Sequence, residues 1–274
     1  MTRLLKHRMK SLLGSQGISA SLAPNRERLL EVIALLQPRI PEGMELIRVG
    51  GENDGGYLVP DDFEGIIDCL SPGVDYLATF ESDLQKRGIG SHLIDYSVDG
   101  PPGNFEPASF TKKFLGASTG GCHITLSDWI TNIGLASTPG DLVLQIDIEG
   151  AEYEVLLETP REILDRFRIV VLELHHLESL SHQVFLRIFE AFAKKLTSNH
   201  QVVHVHPNNV VPPVVIRGVE VPPVLELTLV RRDRIANDAA MLEPTLPHRL
   251  DFPNVSANPD YRMTSAWVGD TPPN

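Results

Sequence analysis

The stretch Asp141-Leu-Val-Leu-Gln-Ile-Asp-Ile-Glu-Gly-Ala-Glu-Tyr-Glu-Val-Leu156 decides how the rest of the chain is read. Leu142 to Ile146 is an apolar run of the kind that fills a strand buried on both faces. It stops at Asp147 and Glu149, Gly150 follows, and a helical segment begins at Ala151. Open α/β sheets build ligand sites this way, with polar groups at a strand's C-terminal edge beside a helix N-terminus. Burying two acids is costly, so they point to function rather than stability. The structural alternative is that Glu149 caps the helix while Asp147 makes only a local hydrogen bond.

Working outward, strands alternate with helices. A short strand, Gly65–Leu70, enters the turn Ser71-Pro72-Gly73-Val74; a helix over about Ala78–Lys86 follows, then a strand at Ser91–Ile94 ending in Asp95-Tyr96. This βαβ unit puts an acid 22 residues beyond Gly73, a layout that suits ribose hydroxyls, although a single glycine is not the GxGxxG fingerprint. Residues 97–121 read as an insertion loop, and Cys122 to Leu126 as strand-like before Ser127-Asp128-Trp129. Thr159-Pro160-Arg161-Glu162 has the form of a capping box opening a second short helix. Ile169–Leu174 is the next buried strand, ending among Glu173, His175, His176 and Glu178. Residues 182–196 carry Phe185, Ile188, Phe189, Phe192 and Leu196 on one helical face. Val202–His206 and Val224–Val230 close the pattern as two strands around an Asn- and Pro-rich loop.

The whole predicts an α/β fold, a doubly wound and mostly parallel sheet with one antiparallel strand near the edge. Residues 1–44 form a helical extension, with Asn25 capping a helix over about 26–37; residues 45–233 form the sheet domain. From 234 to 274 the pattern dissolves into a tail wrapped on the surface or partly disordered. A hairpin, 45–49 with 57–59, encloses Gly50-Gly51-Glu52-Asn53-Asp54-Gly55-Gly56. This loop is either a floppy surface turn or a mobile glycine-rich lip that approaches a ligand, with Asp54 as its polar tooth.

Charge narrows the classes. The chain carries −12 overall, but residues 1–28 hold six basic side chains and one acid, which leaves the remaining 246 residues at −17. Such a body argues against nucleic acid, whose phosphates call for clustered Lys and Arg. No window approaches the ~18 apolar residues of a membrane span. The basic amphipathic N-terminus lacks the apolar core of a secretory signal and reads as a frayed helix, the sharper alternative being a helix that docks on a second protomer, as in a homodimer, or on an anionic surface. Two cysteines, with no CxxC pair, fit a reducing cytoplasm.

Asn53-Asp54-Gly55-Gly56-Tyr57, Ser71-Pro72-Gly73-Val74 with Phe80-Glu81, Asp95, Thr125 to Trp129, Gln145 to Glu152, Glu173-Leu174-His175 and His206-Pro207-Asn208-Asn209 together resemble the FkbM-type class I methyltransferases. The likeness, closest to the branch with an Asp-Gly-Gly-Tyr motif, spans about residues 45–230. It implies a seven-stranded Rossmann-like sheet in the order 3-2-1-4-5-7-6 and O-methylation, from S-adenosylmethionine, of a hydroxyl on a sugar or other small polar metabolite. It further implies cofactor contacts from Asp54, Gly55, Ser71, Gly73, Glu81, Asp95, Tyr96, Asp128 and Asp147. One departure stands out: Pro72 occupies a turn where the family carries several glycines.

For such chemistry the chain offers His175 as the base, since a neutral imidazole at a strand edge accepts protons near pH 7. Asp147 would orient it or face the sulfonium, and Glu149 and Glu173 would line the pocket. A structural histidine is the alternative. Asp147, Glu173 and His206 could instead gather around Mg²⁺, although magnesium favours oxygen ligands over imidazole. His204, sharing a strand face with His206, reads as a packed residue. Two other classes stay open: a binding protein on a degenerate methyltransferase scaffold, and a nicotinamide-dependent oxidoreductase, which the missing GxGxxG disfavours.

Overall fold

The computed structural model describes residues 23–269, apart from 75 and 104; the basic N-terminal segment, and any dimer contact through it, lies outside the described residues. Seven strands form the central sheet: β1 (Ile66–Pro72), β2 (Gly90–Ile94), β3 (Ser109–Thr111), β4 (Asp141–Ile146), β5 (Phe167–Leu174), β6 (His200–Pro207) and β7 (Leu225–Arg231). Their order across the sheet is 3-2-1-4-5-7-6, and only β7 runs antiparallel to its neighbours, Leu172 facing Leu227 on one side and Val205 facing Leu227 on the other. Among the described residues the helices are α1 (Arg26–Ile33), α2 (Thr79–Lys86), α3 (Leu126–Asn132), α4 (Glu152–Glu158), α5 (Arg161–Leu164), α6 (Gln183–Thr197) and α7 (Ser265–Val268).

The pleat of β4 explains the layering. Leu142, Leu144 and Ile146 enter one core with α1, α4 and α6, where Phe189 and Phe192 are fully buried. Val143 enters a second core with α2 and the hairpin Leu46–Val49/Tyr57–Pro60, through Phe80, Leu84 and Val59. Alternate residues therefore serve opposite faces, as a doubly covered sheet requires. Gln145 falls on the second face, and its amide needs polar company there.

Several boundaries differ from the sequence expectation, each for a local reason. Residues 97–121 are not all loop: Ser109–Thr111 is the edge strand β3, too short to show a period of two. His123–Ile124 pairs with Phe114–Leu115 outside the central sheet, and Thr125 ends it by capping α3, accepting from the Asp128 amide. Thr159 does not cap α5; its hydroxyl donates to the Val155 carbonyl at 2.7 Å, closing α4 instead. The loop after β6 holds its own small hairpin, Val214–Ile216 with Val219–Val221. The tail after Arg234 is not confined to the surface: Trp267 is 1 % exposed within the main core, and Met241–Leu242 pairs with Ile40–Pro41. Among the described residues no helix is long and apolar enough to cross a membrane.

Candidate active site

The C-terminal tips of β1 and β4 meet at Gly73. Its φ is +89°, and a Cβ there would lie 1.5 Å from the Asp147 carbonyl oxygen, so only glycine fits. The Asp147 amide donates to the Pro72 carbonyl at 3.1 Å, so Pro72, which needs no amide of its own here, ends the strand as an acceptor. Just across, Asp95 at the tip of β2 accepts from the Val74 amide (3.0 Å) and from the Ser97 amide and hydroxyl (both 2.6 Å). A carboxylate has about four lone-pair sites, so Asp95 retains capacity for a ligand hydroxyl.

Past Asp147 the chain turns sharply. Glu149 takes a left-handed φ of +57° and Gly150 one of +104°, and α4 begins at Glu152. Glu152, fully buried, holds this turn: its Oε1 accepts from the amides of Ile148 (3.0 Å) and Gly150 (3.2 Å). The same oxygen lies 3.1 Å from His175 Nδ1. An atom already accepting two amide hydrogens is an acceptor, so Nδ1 is the donor and the ring's acceptor atom, when neutral, is Nε2. Tyr153, edge-on to Phe185 and Phe192 of α6, donates to the His175 carbonyl at 2.6 Å. The apolar face of α6 thus braces the backbone under the histidine.

Nε2 faces Asp147 Oδ1 at 3.7 Å and Glu149 Oε2 at 3.6 Å, both beyond hydrogen-bond reach. Burial by itself would lower the imidazole pKa. The hydrogen bond and charge of Glu152, joined by the charges of Asp147 and Glu149, outweigh burial and raise it. Asp147 is pushed up to about 6, chiefly by burial, while its contacts with Glu173 and His175 hold it lower than burial alone would. Glu173 rises well above the carboxylate range, by burial first and then by the charges of Asp147 and Glu226. Asn208 donates to Glu173 Oε1 at 2.6 Å.

These groups open on a cleft of about 820 Å³, within the roughly 300–1,000 Å³ of small-molecule sites. Its floor includes Glu81, whose pKa burial raises while the hydroxyl of Ser71, donating to its Oε1 at 2.5 Å, pulls the other way. Ser71 Oγ also lies 2.7 Å from Gln145 Oε1, which gives the polar side chain inside β4 its polar company. The glycine lip forms another wall, but it is pinned. Thr79 Oγ1 accepts from the Gly51 amide and donates to the Gly55 carbonyl, Asp83 accepts from the Gly50 amide, and Arg48 binds the carbonyls of Gly51 and Asn53. A Cβ on Gly56 would lie 1.9 Å from the Gly51 oxygen. Gly50 and Gly56 serve close backbone packing, which accounts for two of the glycines without a mobile lip.

Of the residues predicted for the site, Asp54, Gly55, Gly73, Glu81, Asp95, Asp147, Glu149, Glu173 and His175 all line this cleft. Ser71 lies behind it and acts through Glu81 and Gln145. Two stand apart. Asp128 is exposed on the first turn of α3 and accepts from Thr119; Tyr96 points outward against Phe114, ring centroids 5.3 Å apart. Glu149 does not cap α4, its side chain being 87 % exposed; Glu152 holds that turn, and Glu152, not Asp147, orients His175. The proposed trio of Asp147, Glu173 and His206 does not gather either. Among the described residues, the groups able to share a cation are Asp147, Glu149 and His175, their ligand atoms within 4.8 Å of one another. His206 pairs instead with Glu226, and His204 with Asp251 at 3.0 Å. Sequence reasoning assigned no role to Glu152, Tyr153, Gln145 or Asn254. The first three sit inside or beside the quoted stretch, where an acid followed by an aromatic at a helix start was a usable signal; Asn254, in the tail, gave none.

No curated protein matches the chain significantly. Over residues 90–200 the chain is similar to the methyltransferase FkbM domain, the family model that matches there, and together with the 3-2-1-4-5-7-6 sheet this supports an FkbM-type methyltransferase.

Proposed function

We propose that the chain transfers a methyl group from S-adenosylmethionine to a hydroxyl of a small polar acceptor, with His175 as the base. The observation that carries this reading is the Glu152–His175 pair, whose unbonded Nε2 opens into a cleft walled by Gly73 and Asp95. The donor set suits the cofactor: Gly73 leaves room at the strand crossing, Asp95 has lone pairs left for ribose hydroxyls, and Asp147 Oδ1 is a buried acceptor with no partner among the described residues. When bound, S-adenosylmethionine supplies an electrophilic methyl group.

The chain's own part is alignment and proton removal. Holding the acceptor oxygen in line can contribute roughly 7–11 kcal/mol, and a positioned base typically adds about 10²–10⁴ in rate. The acceptor hydroxyl gives its proton to Nε2 as the oxygen attacks. Glu152 keeps the ring oriented through Nδ1, and the imidazolium that results is stabilised by Glu152, Asp147 and Glu149. Calorimetric titration with S-adenosylhomocysteine is expected to show one site per chain; folded protein giving no heat at millimolar ligand excludes the reading. Cofactor binding without turnover on any hydroxylated acceptor would favour a binding protein on this scaffold.

The cluster of Asp147, Glu149 and His175 favours one second reading, in which the three hold a divalent cation and His175 is a ligand. Activity lost to EDTA and restored by Mg²⁺ or Mn²⁺ would select it.

A further inference from the structure

We infer that the methyl acceptor presents hydrogen-bond donors at its reacting end and carries no phosphate or carboxylate. This rests on the methyl-transfer reading and adds the chemical class of the second ligand. The lining of the cleft contains acids from several elements and loops, among them Asp54, Asp95, Asp147, Glu149 and Glu178, and, among the described residues, no lysine or arginine. Anionic ligands are held by guanidinium or ammonium groups, or by free backbone amides. Arg48 is not part of the lining, and its guanidinium is taken up by the carbonyls of Gly51 and Asn53.

Five backbone amides around the cleft are also taken up within the chain. Those of Gly55 and Val74 donate to Asp54 and Asp95, those of Ile148 and Gly150 to Glu152, and that of Val210 to Asn208. At these five positions an anion nest is already filled by a side-chain oxygen of this chain; the uncapped first turn of α2 is the remaining stretch of amides at the cleft.

Asn254 supplies the second, independent observation. It is 8 % exposed, lines the cleft, and donates through Nδ2 to Glu226 Oε1 at 2.5 Å, with Asp54 Oδ1 at 3.4 Å beyond. Two carboxylates around one amide nitrogen fix which end is which. Its Oδ1 is thus an acceptor, buried and without a donor among the described residues, as is Asp147 Oδ1. A buried acceptor of this kind calls for a donor, from ordered water or from a ligand. A hydroxyl or ammonium hydrogen completes both; a phosphate or carboxylate oxygen repels both.

The test uses the full chain with S-adenosylhomocysteine or S-adenosylmethionine and a matched set of probes: glucose, glucosamine, glucose 6-phosphate and glucuronate, followed by analogous neutral, aminated and anionic polyols. The neutral and aminated members are expected to bind, or to be methylated with kcat/KM at least about tenfold above their anionic counterparts. Asn254→Ala is expected to weaken acceptor binding about tenfold while S-adenosylhomocysteine affinity stays within about twofold. Anionic members matching or exceeding the neutral ones, or no discrimination by charge in any set, overturns the inference. Should Asn254→Ala fail to fold, the charge ranking on the unaltered protein decides alone. Failure of S-adenosylhomocysteine to bind is a separate result, which removes the methyl-transfer reading itself.

Discussion

Glu152 Oε1 and His175 Nδ1 lie 3.1 Å apart, a buried carboxylate joined to an imidazole from the neighbouring strand end. The contact ties the turn after β4 to the tip of β5, because the same oxygen also accepts the amides of Ile148 and Gly150. One residue thereby shapes the loop that presents Asp147 and selects the tautomer that leaves Nε2 for chemistry.

His175→Ala is expected to lower methyl transfer by about 10²–10⁴ while leaving S-adenosylhomocysteine affinity nearly unchanged. Single-turnover rates with parallel calorimetry measure both. The net pull of Glu152, Asp147 and Glu149 raises the imidazole pKa, so the acid limb of the rate should lie above 6.5, with activity falling as pH drops through it. The sign for stability is opposite: the raised pKa contributes stability that is present below about 6.5 and is lost as pH rises through the folded value.

Glu152→Gln keeps an oxygen for the two amides but removes the charge. The acid limb of the pH profile should move to lower pH, with a smaller fall in plateau rate than His175→Ala produces. A limb that does not move would reduce Glu152 to a loop anchor.

Asp147→Asn should separate stability from activity. The folded pKa of about 6 lies above the ordinary 3.8, so the native protein loses stability as pH rises between those values. The variant, free of that ionisation, is expected to be more stable by about 1–3 kcal/mol at pH 8, the difference shrinking toward pH 4, and to be nearly inactive. Thermal unfolding across pH checks this; equal stability at pH 8 would mean that Asp147 is solvated or paired well enough to ionise freely.

Asp95→Ala removes lone pairs intended for ribose hydroxyls and frees the Val74 amide. S-adenosylhomocysteine affinity should fall by about 1–3 kcal/mol. Unchanged affinity would assign Asp95 to holding its own loop.

Gly56→Ala drives a Cβ to within 1.9 Å of the Gly51 oxygen, a backbone atom that cannot swing aside. A loss of about 1–3 kcal/mol is expected, together with faster limited proteolysis at residues 50–56. In the unaltered protein, cutting there should be equally slow with and without ligand. Ligand-dependent protection would restore the mobile-lip reading.

The sequence by itself determined the sheet. Runs such as Leu142–Ile146 and Ile169–Leu174, apolar except for Gln145 and Glu173, fit a strand covered on both faces, and acids gather at their C-terminal ends. That local pattern was enough to expect these strands and an antiparallel strand near the edge, the strand order following from the family resemblance; it also singled out His175, Asp147 and Asp95, which the fold brings to one cleft. It was not enough for β3, three residues with no period to read, or for the stiffness of the glycine lip, which comes from Thr79, Asp83 and Arg48 reaching back from elsewhere. Partner choice among nearby acids was decided only in three dimensions. Glu149, Glu152 and Asp147 are near-equivalent in sequence, but the left-handed turn at Glu149 sends its carboxylate to solvent, and the start of α4 turns Glu152 inward onto His175. Asn254 reaches the cleft because Asn209 fastens the tail through Val255 and Asn258, contacts that span 46 and 49 residues. Side-chain pairing over such separations is set by packing of the finished fold, and no local periodicity encodes it.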